Sequence, residues 1–156
     1  MKLTTNTDFF RRHLFVTVLL AGMGAWFAYD GLVTYPKTPA ADLYRSIEKH
    51  DAPVGYDLEA FKRQKTQTQY GFAVLALLGA ATVGLHLLSV VRFVFSFDDD
   101  GFATARKRYA WSEITSVDRS QWEKKTILRL TLADGARVTL DAWHHVGVKD
   151  FAARLA

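Results

Sequence analysis

Hydrophobic positions are unevenly spread along the 156 residues. Two stretches are apolar on every face, a later region alternates with a period of two, and the segments between are polar. The first apolar stretch, "LFVTVLLAGMGAWFAYDGLV", opens at Leu14 behind Arg11 and Arg12, and Trp26, Tyr29 and, just beyond it, Tyr35 mark its far end. About 20 residues of helix just cross a hydrocarbon core, and aromatic rings collect where such a helix meets the headgroups. The second stretch, "YGFAVLALLGAATVGLHLLSVV", runs from Tyr70 to Val91 and is more uniformly apolar. Soluble core helices are seldom apolar all round for that length. The pattern predicts transmembrane helices over 14–34 and 70–92, preceded by a cytoplasmic segment 1–13 and joined by a link over 35–69. No small-x-small cleavage site follows the first stretch, where "AWFAYD" stands instead, so it is expected to be an uncleaved anchor.

Within the link, "TPAADLYRSIEKHDAP" predicts a short helix with Thr38 as N-cap and Pro39 in its first turn. Leu43, Tyr44 and Ile47 form its apolar face, expected to lie towards lipid at the interface or against a partner. Asp57 caps a following helix that leads into the second span.

Beyond Val91 the period changes. In "RFVFSFDDDG", Phe93, Phe95 and Phe97 fall on alternate positions, which marks a strand with one buried face. The aspartates and Gly101 predict a hairpin turn with left-handed backbone, and consecutive acids lack the alternate spacing of a calcium loop. "FATARKRYAW", "EITSVDRSQW", "TILRLTL" and "RVTLDAW" continue the pattern, giving about five strands. The clearest hairpin sets Leu128, Leu130 and Leu132 against Ile127, Arg129 and Thr131 and turns at Asp134–Gly135. Val148, Phe151, Ala152 and Leu155 then fall at helical spacing. The expected fold class is an α+β membrane protein: two transmembrane helices and a small antiparallel β-rich C-terminal domain, 93–156, closed by a short helix.

The net charge of +4 is shared among interspersed acids and bases, which suits an anionic membrane surface better than nucleic acid. The absence of cysteine excludes disulfides, thiolate metal sites and thiol nucleophiles. His144 and His145 are adjacent and so diverge, and neither a phosphate loop nor a nucleophile–base pair is present. No catalytic residue, metal or cofactor is therefore expected. Ala76, Ala80 and Gly84 in the second span, with Gly24 and Ala28 in the first, have helix-packing spacing, within the hairpin or against another helix. Asp30 and His86 are the polar side chains of the spans. Asp30 reads as interfacial. His86 reads as a neutral imidazole bonded to a carbonyl or hydroxyl, with a transport or pigment-binding role as the alternative. Basic residues nearly tie across the two sides, and both termini are expected in the cytoplasm.

The segments "FDDDGF", "YAWSEITSVD" and "WEKKTILRLTLADGARVTLDAWHHVGVKDFAARL", with Trp111, Ser112, Glu113 and Ile114 introducing a strand, resemble the bacterial pleckstrin-homology-like domains of small membrane proteins. The tail is too short for the seven strands and long helix of a full barrel of that kind, so a reduced sheet or a barrel completed by a partner is expected. The resemblance implies assembly rather than chemistry: a non-enzymatic accessory or scaffold subunit of the bacterial inner membrane. Its partners would be membrane lipid and another membrane protein or a second copy. Arg106, Lys107, Arg108, Lys124 and Lys125 are the candidate lipid or partner contacts, and an anionic-headgroup sensor is the alternative role.

Overall fold

The computed structural model describes residues 1–155 and divides into two compact units, Leu14–Leu85 and a second made of Met1–His13 together with the chain from His86 onward.

In the helical unit, α1 (Thr7–Tyr29) continues through a π-helical segment (Asp30–Thr34) into a last turn, α2 (Tyr35–Lys37). After α3 (Ala40–Glu48), α4 runs unbroken over Leu58–Val91. The Asp57 carboxylate caps α4 by accepting the Ala60 amide at 2.9 Å. At 1.5 Å per residue α4 is about 51 Å long, more than a hydrocarbon core needs. Its first three turns, "LEAFKRQKTQTQ", are correspondingly polar. Two helical runs, Thr7–Lys37 and Leu58–Val91, are long and apolar enough to cross a membrane.

Small residues set how closely the helices of this unit approach. A Cβ at Gly24 would stand 2.8 Å from Leu77 Cδ2, and one at Gly84 would stand 3.3 Å from Thr17 Cγ2. Ala73, Ala76 and Ala80 are buried, and Ala28 is half-buried. Asp30 accepts the Trp26 indole N–H at 2.8 Å. Next to it, the π-helical carbonyl of Gly31 accepts the Tyr70 hydroxyl at 3.0 Å.

Two expectations for the link are corrected. Pro39, not Thr38, is the N-cap of α3, because the Thr38 hydroxyl turns back to donate to the Thr34 carbonyl at 2.7 Å. Leu43 and Tyr44 do not face outward; they are 3% and 6% exposed and form a small core with Phe61 of α4.

Among the described residues the β unit has eight short strands. β1 (Thr4–Thr5) pairs with β8 (His145–Val146). β2 (Phe95–Phe97), β3 (Gly101–Thr104) and β4 (Arg108–Ala110) form one antiparallel sheet in that order. β5 (Ile114–Asp118), β6 (Ile127–Leu132) and β7 (Arg137–Asp141) form another. A one-turn helix, α5 (Trp122–Lys125), links β5 to β6, and α6 (Val148–Arg154) follows β8. Among the described residues the tail thus holds seven short strands rather than about five, a number it was expected to be too short to hold. "FATARKRYAW" is broken by a turn into β3 and β4, with the Lys107 carbonyl accepting from the Thr104 amide at 2.9 Å, and the short β8 escapes a period-two pattern altogether. The two glycine turns also differ. Gly135 is left-handed at φ +81°, whereas Gly101 is extended at φ +158° and has no room for a side chain, because a Cβ there would run into the Tyr109 carbonyl.

The core lies between the sheets and under α6. Phe95, Phe102, Leu128, Leu130, Leu140, Val148 and Phe151 are fully buried. Leu3 joins them at 3% exposure, so the amino-terminal segment is part of this core. Its backbone is knitted in as well: the Leu3 amide donates to the Phe95 carbonyl at 2.9 Å, and Lys2 bridges Ser96.

Candidate functional site

Two features share the face of the β unit where α1 begins and α4 ends. The first is a cluster of rings. Phe9, one turn into α1, is 1% exposed and packs with Leu87 and Val90 of α4. Its ring lies 3.9 Å from the His13 ring and 4.6 Å from that of His144, between centroids. His86 of α4 lies 5.3 Å from His144 and 6.0 Å from His13. His86 is an exposed side chain, and its own carbonyl accepts the Ser89 hydroxyl at 2.7 Å. His145 points the other way, its Nε2 3.1 Å from the Val90 carbonyl and its buried Nδ1 without a partner. With the Phe9 ring packed among the imidazoles, no group of three His, Asp or Glu side chains among the described residues is arranged to hold a metal ion.

Burial holds the His144 imidazole below its ordinary pKa; Asp141 pulls it up, while His86, His145 and His13 push it further down. The Asp141 carboxylate, 3.5 Å from His144 Nδ1, offsets the burial only in part. A depressed histidine pKa means that the folded site takes up its proton less readily than the open chain. Its stabilising contribution is therefore complete above the unfolded value near 6.5 and is lost as pH falls below it. The Asn6 amide donates to the His144 carbonyl at 2.8 Å and reports the docking of the amino-terminal segment directly. Hydrogen-exchange protection of Asn6 should fall a few-fold from about pH 7 to pH 5, and His144→Gln should flatten that change. Equal pH dependence in both proteins would rule out His144 as its source.

The second feature is a groove of about 500 Å³ bounded by the last turn of α4, the β3–β4 turn and the start of β7. Arg92, Arg106 and Arg137 line it from these three directions, and Phe93, Val94 and Val138 are among its apolar lining. No Asp or Glu lines it. All three arginines are exposed, and none has an ion pair or a side-chain hydrogen bond among the described residues.

The other expected basic contacts are differently placed. Lys107 is shared between Glu113 at 3.4 Å and Asp134 at 3.9 Å and lies over the Tyr109 ring. Arg108 pairs with Asp98 at 2.6 Å, and that bond holds the Asp98 carboxyl below the usual carboxylate range. Lys124 and Lys125 sit on α5 and do not line the groove. Of the five expected bases, only Arg106 reaches it. Arg92 and Arg137 join it from segments 45 positions apart, too distant for any local pattern to connect them.

Comparison of the chain with protein-family models, with characterised proteins and with solved structures returned no match.

Proposed function

We propose that the chain is a non-enzymatic, two-span protein of the bacterial inner membrane whose pleckstrin-homology-like β domain is an assembly surface for another membrane protein or a second copy. The observation that carries this is the absence of a tether. α4 ends at Val91 and β2 begins at Phe95, while β1 ends at Thr5 and α1 begins at Thr7. The β unit is built on the first turns of one apolar helix and the last turns of the other. A domain on a flexible linker searches a volume; here neither junction leaves residues for such a linker, which suits the β unit to a fixed assembly surface. Two three-stranded antiparallel sheets beside a closing helix support the family resemblance.

Trp143 and Val146 are 47% and 55% exposed on this unit and so open to a partner. Photo-crosslinking amino acids at these two positions, introduced into the full chain in native membranes, test the proposal. A discrete adduct with one protein, or with a second copy, is the expected result. Adducts with lipid alone at both positions would overturn it.

A further inference from the structure

We propose that the groove beside the end of α4 binds the phosphate of an anionic phospholipid headgroup, with Arg92, Arg106 and Arg137 as its contacts. Elsewhere on the β unit, Lys107, Arg108, Arg129 and Arg154 each face an acid within 4 Å, which takes up their charge. Here three guanidinium groups line one concavity that contains no acid and no ion-pair partner among the described residues. Guanidinium suits phosphate because its planar fork donates to two oxygens at once. The Thr139 hydroxyl is a further donor in the lining.

Three observations select a lipid over a soluble anion. Arg92 stands one residue beyond a helix long and apolar enough to cross a membrane, at the depth where headgroup phosphates would lie. Phe93, Val94 and Val138 give the groove an apolar wall that a free anion would not need. The volume, about 500 Å³, leaves room for a glycerol backbone beside the phosphate. The inference rests on the membrane placement proposed above but not on any protein partner.

The test uses the full chain in detergent micelles, titrated with phosphatidylglycerol or phosphatidylcholine and read by native mass spectrometry of bound lipid. Phosphatidylglycerol should bind in preference. The triple variant Arg92→Gln, Arg106→Gln, Arg137→Gln should lose about tenfold in affinity, against about twofold at most for Lys124→Gln, Lys125→Gln, Lys149→Gln, which removes the same charge elsewhere. Arg137→Gln alone should show an intermediate loss, which keeps the test decisive if the triple variant does not fold. Equal losses in the two triple variants, or equal binding of the two lipids, would overturn the proposal. Displacement of the lipid by an equal concentration of glycerol phosphate would also overturn it, in favour of a soluble phosphate ester. Flotation of the wild-type chain with alkali-washed membranes is scored separately, so failure of the membrane placement is not mistaken for failure of the groove.

Discussion

Replacing Phe151 by alanine is expected to cost the β unit about 3–5 kcal/mol, the range for removing a fully buried phenyl ring from a packed core. Phe151 is 0% exposed. Its ring meets Phe95 edge-on at 5.0 Å, Phe97 at 5.3 Å and Trp111 at 5.5 Å. Strands from the first sheet and the segment leading to the second therefore converge on one side chain of α6. Phe95 is held from collapsing into the space because it is also stacked on Phe102 at 5.4 Å. Thermal unfolding of the full chain in detergent, followed by tryptophan fluorescence, should show a midpoint lowered by at least about 12 °C. Lys149→Ala, at an exposed position of α6 itself, should leave it within about 0.5 kcal/mol of wild type. Similar midpoints for the two variants would mean that α6 does not close this core.

Leu3→Asp should have an effect of comparable size for a different reason. Leu3 is 3% exposed among Phe95, Leu140 and Val148, so a carboxylate there is either desolvated without a partner or drives the segment out. Undocking forfeits the Leu3–Phe95 hydrogen bond and the β1–β8 pairing. It also forfeits the bond from the Met1 ammonium to the Phe97 carbonyl. The loss should be no smaller than that of a buried leucine truncation, about 2–5 kcal/mol. Leu3→Met, which keeps the volume and the apolar character, should cost less than about 1.5 kcal/mol. Chemical denaturation of both variants makes the comparison, and a Leu3→Asp midpoint equal to wild type would show that residues 1–6 are not part of the core.

Periodicity carried much of the architecture. The two apolar stretches declared themselves because a helix that is apolar on every face over about twenty residues is written locally in the chain. The β6–β7 hairpin was equally legible, since Leu128, Leu130 and Leu132 alternate with outward residues and Asp134–Gly135 permits the turn. Short strands were not. β8 has two residues, and β3 and β4 have four and three, too few for a period of two to stand out from chance. Leu43 and Tyr44 looked like an interfacial face because an amphipathic helix has the same pattern whether lipid or protein covers it. The structure covers them with Phe61.

The groove and the ring cluster lay further out of reach. Sequence located Arg106 in a basic run, but Lys107 and Arg108 beside it are neutralised by Glu113, Asp134 and Asp98. Which charge in such a run keeps its field depends on acids brought in from other strands. Likewise, His13, His86 and His144 meet only because both helix ends are built into the β unit. By itself, then, the chain determined its local periods: two helices apolar enough for a membrane, and a tail that alternates. Tertiary structure decided the rest, namely that the first six residues complete the β core, that three unpaired arginines converge, and that three histidines surround Phe9. Local backbone and solvent preferences act over a few residues and are readable in order. Burial and charge pairing act through space, and only the closed fold sets which distant residues share them.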